Sequence, residues 1–360
     1  MRGPSCYFIR ISQSGAMELD KSVQRVTVLF LALLLSGTGM LYGQERAGTS
    51  GSPQLLVPVG AQYLGGSGAA AGISGIESVL WNPAGVDKGE GQVMVMGSRR
   101  EHLADIGVNL IAAGVRFEKI GTFALHIRNF DIGEIKETTE SNPAGTGSTF
   151  EPSFFTLGAT YGRNLIDQIR VGVTANVTNE SFANISATGV TFDAGVQYDR
   201  FLGFSGLNIG VSIRNIGRSI THEGSGLQVP ADSRGSTREA TQFQVISADA
   251  EIPTTVDLSL EYNIWRGLDV AATFSENTFE PAKAQGQLAY NFQDIITVRG
   301  AYSQTLEDRG ELEGPFENRP SFGGTLNLEP ALGVDVSFDY AFVSTKFFEN
   351  NHILTLRGSF

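Results

Sequence analysis

The chain has 360 residues, a formal net charge of −12 and only 18% charged residues, against roughly 25% in a typical soluble domain. The acidic balance argues against a nucleic-acid partner, which a basic surface would serve. The single cysteine, Cys6, excludes a disulfide framework and a thiolate metal cluster.

Residues 1–43 read as a signal peptide. Lys21 and Arg25 precede an apolar run over 26–35, and a small, polar stretch leads to a cleavage point before Gln44. The run is about ten residues, too short to cross a bilayer as a helix. Residues 1–16 lack the character of a signal-peptide lead, so Met17 is a candidate start. An exported chain without a transmembrane helix is expected.

Residues 44–90 form a separate segment with no alternation. It is rich in Gly and Ala over 60–75. Gly66, Gly68 and Ala71 fit G-x-G-x-x-A, but a dinucleotide site needs a βαβ unit around that motif and none follows. Small residues packed closely inside a lumen explain the run better. The segment ends in Trp81, Asn82, Pro83, Ala84 and Gly85. Asn bonds its own backbone and Pro fixes φ, so a tight turn anchored by Trp81 is expected. A substrate-binding element is the alternative.

From 91 to 360 one pattern repeats. Val256, Leu258, Leu260 and Tyr262 alternate with Asp257, Ser259 and Glu261; Val334, Val336, Phe338 and Tyr340 alternate with Asp335, Ser337 and Asp339. Period two over such lengths predicts strands with one apolar and one polar face. Fourteen segments show it: 91–99, 105–117, 120–130, 153–162, 168–178, 189–199, 206–215, 254–262, 267–275, 284–292, 294–303, 321–328, 331–342 and 352–360. The second breaks phase near Ala112 and Gly114, which predicts a bulge. Connections alternate between tight turns, such as 118–120 and 293–294, and longer stretches, such as 131–152, 179–188, 216–253 and 304–320. Short turns at one end and long loops at the other are the arrangement of a transmembrane β-barrel. The loop 216–253, with His222, Glu223, Asp232, Arg234, Arg238 and Glu239, is long enough for a lid or a partner contact.

The last strand supports closure. Leu354, Leu356 and Phe360 share a face, with Thr355, Arg357 and Ser359 on the other. A barrel must pair its last strand with its first, leaving no edge in lipid. The fold class predicted is all-β: a transmembrane antiparallel barrel of about fourteen strands. The polar face, which includes Arg170, Asp193, Arg214, Asp257, Arg299, Asp339 and Arg357, would line the lumen. The four histidines are scattered and no nucleophile or metal motif occurs, so neither enzyme chemistry, a metal nor a cofactor is expected.

The leader Gly60-Ala61 and Gly65-Gly66, followed by Glu77-Ser78 and Trp81-Asn82-Pro83-Ala84-Gly85, resembles the N-terminal signature of the PorV/PorQ family of outer-membrane proteins. Later matching stretches are Gly189-Val190-Thr191-Phe192-Asp193-Ala194-Gly195, Gly210-Val211-Ser212-Ile213-Arg214-Asn215-Ile216-Gly217 and Asp339-Tyr340-Ala341-Phe342. That family is similar to FadL, whose fourteen-stranded barrel carries an N-terminal hatch with an Asn-Pro-Ala motif. The sequence departs from the commoner pattern at Gly75-Ile76-Glu77, where an Ala-Asp-Asp type stretch is usual. The resemblance implies a hatch over 44–90 inside a barrel over 91–360, in the outer membrane and surrounded by its lipid. It implies that the terminal Phe360 marks the chain for insertion. It also implies a receptor for secreted cargo proteins, handing them to surface-attachment machinery in type IX secretion. The FadL likeness implies the alternative, passive transport of hydrophobic small molecules. A continuous apolar pocket beside Trp81 would favour transport; a lumen blocked by charge pairs with an apolar patch on the outer loops would favour the receptor.

Overall fold

The computed structural model describes residues 9–11, 17–19, 49–89, 91–231, 241–306 and 318–360. Most of the signal-peptide expectation lies outside these residues; within it, Ile9–Ile11 pairs antiparallel with Met17–Leu19.

Fourteen strands close into one antiparallel barrel. They are β1 (Val93–Glu101), β2 (Gly107–Phe117), β3 (Gly121–Asp131), β4 (Ser153–Ile166), β5 (Ile169–Phe182), β6 (Ile185–Tyr198), β7 (Leu207–Gly217), β8 (Thr255–Trp265), β9 (Leu268–Asn277), β10 (Lys283–Phe292), β11 (Ile296–Thr305), β12 (Arg319–Asn327), β13 (Asp335–Val343) and β14 (Asn351–Ser359). Each matches one of the alternating segments. Strand β14 returns to β1, with Leu354 opposite Arg99 and Leu356 opposite Gly97. The backbone of Phe360 extends this seam: its N–H donates to the Val93 carbonyl at 2.8 Å, and its own carbonyl accepts from Val93 at 3.0 Å. Closure gives every strand two neighbours and leaves no row of unpaired backbone groups.

Alternation sorts the two faces. Outward stand Ile111, Leu125, Val298, Phe322 and Leu356, all more than half exposed. The charged row predicted to be polar points inward; Arg170, Asp193, Asp257, Arg299 and Asp339 are all buried.

Two local expectations change. The bulge expected near Ala112 and Gly114 is absent, because β2 keeps an unbroken register with both neighbours. The phase break arises because Val108, Leu110 and Ala112 point inward although apolar, and pack against Ile76 and Val79 of the preceding segment. The long connection expected over 179–188 is a two-residue link at Ala183 and Asn184. There β5 and β6 extend because inward Glu180 has partners: Ser52 Oγ donates to its Oε1, and Gln54 Nε2 donates to the same oxygen at 2.9 Å.

Residues 49–89 carry only short helices: Pro53–Leu56, Leu64–Gly66, Ala69–Gly72, Ile76–Leu80 and Pro83–Lys88. They lie against the inward rows and touch strands around the ring. Ile76–Leu80 meets β1 to β3, Pro83–Lys88 meets β3 to β6, Ala69–Gly72 meets β6 to β8, and Leu64–Gly66 meets β10 to β13.

Candidate functional site

The segment's turn at Asn82 is built as its residue types require. Asn82 caps the helix Pro83–Lys88, its Oδ1 accepting from the Ala84 N–H at 3.0 Å while Pro83 occupies the first helical position. Asn82 is fully buried. Its Nδ2 donates to the carbonyls of Ala70 at 2.7 Å, Val196 at 3.2 Å and Val211 at 3.3 Å, tying the turn to β6 and β7. Pro83, Ala84 and Gly85 are buried too. The wall makes room by omitting side chains. A Cβ on Gly195 would overlap Asn82 Oδ1, and one on Gly172 would overlap the backbone of Pro83. At the end of the segment Asp87 accepts from Thr122 Oγ1 at 2.6 Å and from the Asn164 N–H at 2.8 Å. Lys88 Nζ lies 3.3 Å from Asp199.

Trp81 is 6% exposed and packs with Tyr63, Ala69 and Ile73. The guanidinium of Arg214 sits 5.3 Å from its ring centre. Arg214 also binds Asp257 through Nε at 3.1 Å and Nη2 at 2.7 Å. Leu354, Leu356 and Phe360 lie on the outward face of the closing seam, away from this inner cluster.

Two cavities flank the segment. One, of about 420 Å³, lies beside Trp81 at the end of the barrel that carries the long connections. Leu55, Val57, Pro58, Val79 and Leu80 give it an apolar floor. Its wall is basic: Arg100, Arg128, Arg214, Lys283 and Arg319 against Asp193 and Glu280. The Arg319 Nε is buried with no hydrogen-bond acceptor among the described residues. The guanidinium groups of Arg100 and Arg128 reach back to the segment, donating to the carbonyls of Pro58 at 2.8 Å and Val57 at 3.4 Å. His102, in the connection after β1, is pushed down to about 4 by burial and then by the charge of Arg100. It is therefore neutral at physiological pH.

The second cavity, of about 380 Å³, opens at the short-turn end and has the opposite balance: Glu261, Asp269, Asp294 and Asp335 against Arg299 and Arg357. No group of three or more His, Cys, Asp and Glu arranged to hold a metal occurs among the described residues.

The chain is similar in structure to three solved membrane channels. The CymD monoaromatic hydrocarbon channel matches with TM-score 0.55 and 12% identity, over 85% of this chain and 98% of that one. The Pseudomonas putida toluene transporter TodX matches with TM-score 0.51 and 11% identity, over 82% of this chain and 96% of that one. A TodX deltaS2S3 mutant channel matches with TM-score 0.52 and 10% identity, over 84% and 99%. The fold is that of these channels. The chain matches no protein-family model and no curated protein sequence, so the PorV/PorQ resemblance rests on the residues that carry it.

The Asn82 turn was visible in the sequence. The basic wall was not, because Arg100, Arg128 and Arg319 lie on strands separated by loops and come together only on closure. Glu77 carried a signal of a kind: it is the one carboxylate between Gly60 and Gly85. Of the loop 216–253, Asp232, Arg234, Arg238 and Glu239 lie outside the described residues. His222 Nε2 stands 3.4 Å from Glu180, and Ile220 and Ile252 pack on Leu55.

Proposed function

We propose that this is an outer-membrane barrel that passes hydrophobic small molecules through its lumen, with residues 49–89 as a hatch. The observation that carries the reading is the cavity with an apolar floor beside Trp81, on the long-loop side of a segment that reaches strands around the ring. The outward apolar face supports the membrane setting, since closed barrels satisfy the backbone where lipid offers no partner. The fold shared with hydrocarbon channels supports transport over catalysis. The arginines of the cavity wall suit a permeant that joins an apolar body to an acidic group, because a desolvated guanidinium pairs best with a carboxylate or phosphate.

The test is uptake into vesicles carrying the purified barrel, with toluene and a long-chain carboxylate as probes. Entry faster than in protein-free vesicles, slowed by Trp81→Arg, is the expected result. Equal rates with and without protein would sink the reading.

A second reading, a receptor for secreted cargo, keeps one observation. Phe347 and Phe348, in the connection before β14, are 64% and 50% exposed, and Ile246 in another long connection is 90% exposed. They would give the outer end an apolar contact surface. Affinity capture from the native membrane separates the two readings: large secreted proteins sharing a terminal domain would favour the receptor.

A further inference from the structure

The two cavities approach each other on one side of the lumen. Among the described residues, the wall of the short-turn cavity comes from β8 to β14 and the turn at Asp294, with nothing from β1 to β7. On that other side Ile76–Leu80 and Pro83–Lys88 pack against β1 to β6. The partition is thinnest along β10. Gln285 lines the long-connection cavity and Gln287, the next inward residue, lines the short-turn cavity, so about 7 Å of strand separates them. Tyr63 is the one residue, among the described residues, that lines both.

The backbone around Tyr63 is held from several sides. The Gln62 N–H donates to Glu77 Oε1 at 3.2 Å, and Leu64 N–H donates to Gln287 Oε1 at 3.1 Å. Thr273 Oγ1 accepts from the Gly68 N–H at 2.6 Å and donates to the Gly66 carbonyl at 3.3 Å. Arg357 donates to Gln62 Oε1 at 3.2 Å and lies 3.9 Å from the second Glu77 oxygen. Leu64 is buried against Ala301, Ala341 and Ile353. The Tyr63 side chain is held differently. Its ring is 7% exposed and packs with Ala69, Ile73 and Trp81. Its hydroxyl reaches Glu261 Oε1 at 3.4 Å, beyond the usual range of a firm O–H···O bond. Such a ring turns about two side-chain torsions without any change of the backbone.

We infer that the Tyr63 ring is the barrier between the two chambers, and that a permeant crosses along β10 by turning this ring aside while the backbone of residues 60–68 stays in place. The passage rests on the hatch reading, whereas the barrier is a property of the packed lumen.

The test is single-channel conductance in planar bilayers with potassium chloride, in a Cys6→Ser background so that an introduced cysteine is the only one. Tyr63→Cys removes the ring and is expected to raise the conductance step above that of the parent. Benzyl methanethiosulfonate then rebuilds a ring at position 63 and returns the step to the parent's, and a reductant reopens it. Leu64→Cys, one residue along and lining neither cavity, keeps the parent's step before and after the reagent. Heat modifiability confirms that each protein is a closed barrel. A Tyr63→Cys step equal to the parent's, or an equal rise in Leu64→Cys, overturns the assignment. Tyr63→Phe, which keeps the ring and loses the Glu261 bond, serves also where Tyr63→Cys yields no closed barrel: a raised step there places the closure in the hydrogen bond and overturns the ring as barrier. Entry of toluene into vesicles is followed in parallel, with faster entry expected in Tyr63→Cys. Conductance that follows the ring, without toluene entry in any variant, keeps the barrier and removes the transport reading.

Discussion

Asn82 reaches three carbonyls on three different elements with one amide group. Replacing it by Ala leaves those acceptors buried with fewer donors and removes the cap on Ala84, at a cost of about 1–3 kcal/mol. Asn82→Ala is expected to assemble as a barrel, because no strand bond depends on it, but to expose the segment near 82–88 to protease. Unchanged resistance to cleavage would show that the glycine seat alone holds the turn. The turn itself was legible from residue types two positions apart. Its wall partners Val196 and Val211 lie 114 and 129 residues along the chain, and nothing local to Asn82 points to them.

At the scale of the element, the closing seam and the outward faces carry the predictions. Deleting Phe360 removes the last backbone pairs with Val93 and is expected to reduce the heat-modifiable form in the membrane; a wild-type yield of that form would refute the seam's role. Leu125 is 60% exposed near the middle of β3. Arginine there meets hydrocarbon and costs about 2–4 kcal/mol near the midplane, lowering the urea midpoint in vesicles. An unchanged midpoint would mean the faces are reversed. Period two made these elements readable, and it misled where an inward row is apolar and at 179–188, where both strands run further than the alternation was followed. In β2 the inward Val108, Leu110 and Ala112 mimic a phase slip, because the lumen there is filled by Ile76 and Val79 rather than water.

For the whole molecule, the lumen is divided by charge as well as by backbone. Among the charged groups that line them, those of the cavity at the long-connection end are mostly basic and those of the cavity at the short-turn end mostly acidic. An anionic molecule held at the basic wall therefore meets a repulsive chamber on the other side of the segment. A chain lacking residues 49–66 joins the two spaces, and its conductance steps in planar bilayers are expected to exceed those of the wild type. Equal steps would show that residues 67–89 alone seal the barrel.

The sequence by itself determined the strand count, the antiparallel order, the two faces and the closing strand. Each of these follows from local alternation and turn chemistry, which a reader can follow one residue at a time. Only the tertiary structure decided what the inward face meets. The gap between Glu77 and Arg357, the pairing of Arg214 with Trp81 and the gathering of arginines above an apolar floor depend on curling fourteen strands into a ring. Closure brings together residues hundreds of positions apart, and no periodicity along the chain encodes which of them will share a cavity.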